Sequence, residues 1–152
     1  MMTVSILRCG GRRKILGTCG LDHCQVAAGG AAPRPPELLA WYASLGLPII
    51  EVYGMTENCG VSHATLPGVQ RPGTVGMVYE GVESRIDPQN GEIQVRSPGL
   101  MLGYYTEAEL TRQAFTPDGR LHTGATGQLD GDAHLLHTGR VQAHLQASHA
   151  TP

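Results

Sequence analysis

Lysine is almost missing from this chain: Lys14 stands alone beside ten arginines. Aromatic side chains are scarce, at 5% of residues, with one phenylalanine and one tryptophan. Neither sign of charge dominates, because 11 basic and 13 acidic residues leave a net −2. That balance removes the electrostatic case for nucleic acid as a partner. No apolar run approaches the roughly 20 residues that cross a bilayer, which leaves peripheral membrane contact as the one open form. The cysteines at 9, 19, 24 and 59 fit neither a paired zinc motif nor a secreted disulfide framework. His134 and His137 have no second ligand pair at metal spacing, so they are expected as surface histidines beside a strand. Met1 to Leu7 is mildly apolar and runs into Arg8, Arg12, Arg13 and Lys14, the reverse of a secretory leader. With unpaired cysteines, this predicts a reducing cytoplasm.

Glycine is plentiful, at 21 of 152 residues, which favours turns and loops over a helical bundle. The length suits one domain or a piece of one. Residues 1–20, with Cys9-Gly-Gly-Arg-Arg, read as a poorly ordered lead-in. Residues 24–28 are expected as a short strand. Pro35-Pro36-Glu37 then opens a helix, since proline in the first turn loses no hydrogen bond and Glu37 favours the amino end. Leu38, Trp41, Tyr42 and Leu45 recur at helical spacing and predict a buried face, with Gly46 ending the helix. A strand over 48–53 follows, completing a βαβ unit with a parallel pair. After Pro72 the pattern alternates. Val82, Ser84 and Ile86 interleave with Glu83, Arg85 and Asp87, and Ile93 and Val95 with Glu92, Gln94 and Arg96. Asp87 to Gly91 is the turn between them, so a hairpin with one wet face is predicted. Thr106-Glu-Ala-Glu109 reads as a capping box opening a helix through Phe115, and short strands near 126–130 and 133–137 follow.

The chemistry concentrates in Glu51-Val-Tyr-Gly-Met-Thr-Glu-Asn-Cys-Gly60, a glycine-punctuated loop after an apolar strand. An aromatic ring, a hydroxyl and a carboxylate within five positions suit a magnesium nucleotide. The carboxyl end of a strand is also where open α/β sheets bind ligands. Tyr53-Gly-Met-Thr-Glu57 resembles the Y-G-x-T-E motif of the AMP-forming adenylating enzymes, and its extension through Gly60 looks most like the long-chain fatty acyl-CoA synthetases. Gly29-Gly-Ala-Ala-Pro33, Gly73-Thr-Val-Gly76, Gly91 to Arg96, Gly103-Tyr-Tyr105, Leu121-His-Thr-Gly124 and Thr138-Gly-Arg140 resemble further motifs of that family in its order.

The resemblance implies a two-step reaction using ATP, magnesium, a fatty acid and coenzyme A. Tyr53 and Gly54, with Gly30, Ala31 and Ala32, would hold adenine. Thr56 would bond the α-phosphate, Glu57 would bind magnesium, and Arg140 would reach the ribose hydroxyls. Taken alone these residues also read as a strand-closing aromatic, a turn hydroxyl, a helix-start charge, a small-residue turn and a solvated arginine. The resemblance further implies an aspartate where Ala125 stands, to accept from both ribose hydroxyls. It implies two lysines, one in a glycine-rich phosphate loop and one in a mobile C-terminal domain, and Lys14 cannot supply both. The basic residue, lysine and aspartate expected after Arg140 are replaced by Val141-Gln142-Ala143.

The expected fold is therefore an α/β piece over residues 21–70 and an antiparallel β subdomain over 71–138, with 139–152 a remnant of hinge and tail. The resemblance implies the same: the end of a synthetase-like large domain and the small distorted β-barrel beside it. The expected function is an acyl-CoA synthetase by descent, incomplete and inactive alone. The alternatives are a non-catalytic nucleotide-binding module, a fragment docking against a separately encoded amino-terminal half, and a decayed gene product.

Overall fold

The computed structural model describes residues 3–66, 68, 71 and 73–141. The expectations at Pro72 and Gln142–Ala143 lie outside them. The chain opens with α1 (Thr3–Thr18) where an unordered lead-in was expected. Its last turn is closed by the Leu21 amide on the Leu16 carbonyl at 2.7 Å.

Strand β1 (Ala27–Gly29) pairs in parallel with β2 (Ile49–Tyr53), and α2 (Pro36–Ser44) forms the crossover. Pro36 opens α2, and a Schellman arrangement ends it: Gly46 at φ +80° donates to Ala43, and Leu47 donates to Tyr42. The buried face expected on α2 is only partly formed. Leu45 is buried, but Leu38 and Trp41 stand 41% and 44% exposed. The helix packs mainly on β2, too little sheet to bury a whole stripe. Strand β3 (His63–Ala64) pairs antiparallel with β2, and β4 (Met77–Val78) antiparallel with β3, giving the order β1-β2-β3-β4.

The second sheet is antiparallel, in the order β5 (Glu83–Ile86), β6 (Glu92–Arg96), β7 (Leu121–Leu129) and β8 (Leu135–Arg140). The predicted hairpin forms in register, with Ser84 opposite Val95 and Ile86 opposite Ile93. Its turn is fixed by Asp87 and Asn90 side chains, which accept from the Gln89 and Glu92 amides. The expected wet face is not wet along β6: Glu92 and Gln94 are buried. β7 packs beside β6 and closes over these polar groups, and His122 and Arg85 satisfy them. Register shifts in β6–β7 and β7–β8 mark bulges, which bend the strands and curl the sheet. Strands β7 and β8 begin earlier and run later, respectively, than the alternation predicted, so His122-Thr123-Gly124 is strand rather than loop. The capping box at Thr106 also fails. Thr106 sits at φ +60°, outside the extended geometry a capping hydroxyl needs. α3 (Ala108–Gln113) begins later, and Thr111 instead ties its start to Tyr104.

The core lies on the second sheet: Ile93, Val95, Leu121, Ala125 and Leu135 are buried together. The sheets are joined by Val75 and Gly76, whose backbone exchanges hydrogen bonds with Leu135 at 2.9 and 2.8 Å. Gly76 is obligatory there: a side chain would meet the Ala64 carbonyl oxygen at 2.0 Å, and its φ is +83°. Arg71 adds an ion pair across the junction to Asp130 and Asp132. No helix among the described residues is long and apolar enough to cross a membrane.

Candidate functional site

A cleft of about 210 Å³ opens where the two sheets meet. The first sheet lines it with the 29–33 loop and Glu51 to Met55, and the second with Thr123, Ala125, His137 and Arg140. Gly30, Ala31, Ala32, Tyr53, Gly54 and Arg140, separate in sequence, therefore share one wall-to-wall space. Thr56 and Glu57 are not in its lining. They lie on the 3-10 turn Thr56–Asn58 that follows Met55.

Local forces hold this loop. Tyr53 and Met55 pack on the second sheet's core. The buried Asn58 side chain accepts from the Met55 amide at 2.9 Å, and Gly60 donates to the Met55 carbonyl at 2.9 Å. Gly54 has no room for a side chain, since a Cβ would meet the Gly60 carbonyl oxygen at 2.3 Å. Asn58 is a residue the motif reading passed over. An asparagine five positions after a strand end, in a glycine-flanked loop, is the available signal, as such side chains cap tight turns. Ala31 adopts φ +68°, a strained conformation for a residue with a Cβ, on the loop that faces the cleft.

Tyr53 carries two histidine neighbours, with ring centroids 5.9 Å from His63 and 5.7 Å from His137. Burial pushes its phenol above the usual range. His63 is 1% exposed, and burial brings it down to about 4. Its Nδ1 lies 3.1 Å from Ser62 Oγ, which also reaches the Tyr53 carbonyl at 3.2 Å. The hydroxyl has one proton, so donating it to that carbonyl leaves Nδ1 as the protonated nitrogen and Nε2 as a buried acceptor. His137 is lowered by burial and by the Arg140 charge. It faces the cleft rather than open solvent, correcting the surface reading.

Two carboxylates approach the cleft. Glu51 is raised chiefly by burial, with Arg34 opposing. Glu92 receives His122 Nδ1 at 2.7 Å and the Gly124 amide at 2.8 Å. Beyond the cleft, Glu57 accepts the Tyr104 hydroxyl at 3.0 Å, and its carbonyl accepts the Met101 amide at 2.8 Å. Among the described residues no group of three or more histidine, cysteine, aspartate or glutamate side chains could hold a metal ion. A single half-exposed carboxylate fits a magnesium ion that arrives on a nucleotide, because such ions take one or two protein carboxylates and the substrate's phosphates.

The family model described as AMP-binding enzyme matches residues 6–105. A Mycobacterium tuberculosis protein named as a fatty-acid–CoA ligase is 40% identical over 122 residues, 80% of this chain and 21% of that protein. The long-chain-fatty-acid–CoA ligase ACSBG2 of Gallus gallus is 33% identical over 134 residues, 86% of this chain and 18% of its own. Among solved structures, the anthranilate CoA ligase AuaEII in complex with anthranoyl-AMP superposes with a TM-score of 0.73 at 29% identity, covering 80% of this chain and 25% of that one. The chain thus spans about a fifth of the length of the curated relatives it matches.

Proposed function

The chain belongs to the AMP-binding enzyme family, and from that premise we propose that it descends from an AMP-forming long-chain fatty acid–CoA ligase and retains the adenine end of that enzyme's nucleotide site. The observation that carries this reading is the convergence of the 29–33 loop, Tyr53-Gly54 and Arg140 on one cleft between two sheets. In the whole reaction a carboxylate attacks the α-phosphorus of ATP, giving acyl-adenylate and pyrophosphate. The coenzyme A thiol then displaces AMP. The protein's share of such chemistry is placement and charge stabilisation.

Here the Gly30-Ala31-Ala32 backbone and Tyr53 would bind and orient the adenine, and Arg140 would meet the sugar. Thr56, exposed on the following turn, would donate to the α-phosphate. Glu57 would hold the nucleotide's magnesium, whose charge offsets that of the phosphates. What the chain lacks sets its limit. It has no phosphate-loop lysine, and Ala125 offers no acceptor. Losing a charged hydrogen bond costs about 1.5–3 kcal/mol, so nucleotide binding is expected in the millimolar range, with no adenylation. Calorimetry with ATP and magnesium, beside pyrophosphate exchange with fatty acids, tests this. Turnover comparable to an intact synthetase refutes inactivity, and the absence of any nucleotide binding refutes the retained site.

The exposed Leu38 and Trp41 of α2 favour a second component. A separately encoded amino-terminal half would cover that apolar surface. Turnover recovered on mixing the two halves supports this, and no association between them refutes it. The proposed setting is the cytoplasm, where Cys19, Cys24 and Cys59, free in the structure, stay reduced.

A further inference from the structure

We propose that the cleft prefers an adenine nucleotide whose ribose carries a phosphate on its 2′ or 3′ oxygen, held by Arg140 across from Ala125. The inference rests on the adenine-site reading above and adds the sugar's chemistry to it.

Ala125 and Arg140 are direct partners in the β7–β8 register, and both line the cleft. A free ribose diol has two protons to donate and needs an acceptor at this spot. The methyl group of Ala125 offers none. Of the nearby carboxylates, Glu92 is committed to His122 and Gly124, and Glu51 stands on the opposite sheet. Arg140 has no acidic partner among the described residues. The sugar end of the cleft thus presents a cation without an acceptor. A phosphate monoester matches that arrangement, since its terminal oxygens only accept and fit the forked guanidinium. His137 lines the same wall and has a ring N–H in either neutral tautomer.

The test compares 2′-AMP, 3′-AMP and 5′-AMP, isomers of equal charge, titrated into the full chain by NMR or calorimetry. The better of the 2′ and 3′ isomers is expected to bind roughly tenfold tighter than 5′-AMP, about the effect of one charge-assisted hydrogen bond. Arg140→Gln, at an exposed position, is expected to erase the difference. Ala125→Asp is expected to reverse it where the variant folds. Equal or tighter binding of 5′-AMP by the natural chain overturns the proposal and leaves the adenine reading standing. So does a preference that survives Arg140→Gln. No binding of any isomer sinks both.

Discussion

The two sheets answer the same problem differently. The second sheet carries its own core: Ile93, Val95, Leu121, Ala125 and Leu135 bury one another, and the loops at Met55, Val75 and Phe115 pack onto them. The first sheet buries fewer apolar groups, Leu45, Leu47 and Ala64, and fills its interior with polar ones, Glu51, Ser62, His63 and Thr65. Its helix has no buried residue. The second sheet adds an apolar core to buried polar groups of its own, Glu92, Gln94, Thr123 and Thr126, while the first relies more on hydrogen bonds and on its attachment at Val75–Gly76. The cleft lies between them.

Truncation separates the two most sharply. Leu135→Ala is expected to cost about 2–5 kcal/mol, because a fully buried leucine leaves a cavity. Trp41→Ser on α2 is expected to stay within about 0.5 kcal/mol, the range of surface substitutions. Equal losses in denaturant melts would remove the contrast.

Acid probes the first sheet through its buried His63. The folded His63 lies below its unfolded value of 6.5, at about 4. The stability tied to its neutral form is present above pH 6.5 and drains away as pH falls toward 4. The upper bound is about 3.5 kcal/mol, at about 1.4 kcal/mol per unit. A His63→Gln chain should lose this slope in melts between pH 7 and 4. A slope unchanged by the substitution would assign the acid sensitivity elsewhere.

The junction comes next. Gly76→Ala should cost about 1–3 kcal/mol, from backbone collision and positive φ together. Amide exchange is expected to quicken at Leu135 and in β3, while β5–β6 stays protected. Uniform loosening of both sheets would show them to be one cooperative unit.

The loop after β2 gives a more local effect. Asn58→Ala removes the side-chain acceptor of the Met55 amide, at about 1–2 kcal/mol. Chemical shifts should change at Tyr53 to Gly60 and leave β5–β8 in place. A change centred on β7 instead would mean that the loop is held from the second sheet alone.

Much of the fold was legible in local pattern. The α2 ends, β2, and the 83–96 hairpin with its turn follow from proline, glycine and alternation acting within a few residues. The failures were non-local. Glu92 and Gln94 have the sequence pattern of a wet face, yet His122 and Gly124 of β7 partner Glu92, and Arg85 and Asp87 partner Gln94, which makes their burial tolerable. Thr106 has the right neighbours for a capping box but the wrong φ. Within the site, motif order marked Gly30, Tyr53 and Arg140. Nothing in the spacing marked His63, and Asn58 and Thr123 lay inside quoted motifs with no role assigned to them.

By itself the sequence determined which chemical groups exist and which are missing: Tyr53, Thr56, Glu57 and Arg140 are present, and an acid at position 125 is not. Those are covalent facts that no packing can alter. Only tertiary structure decided that Ala125 faces Arg140 across a strand register, that His137 joins Tyr53 in the cleft, and that Thr56 and Glu57 stand outside it. The reason is that pairing between β7 and β8, and docking of the loop after β2 on the second sheet's core, depend on contacts among residues far apart along the chain.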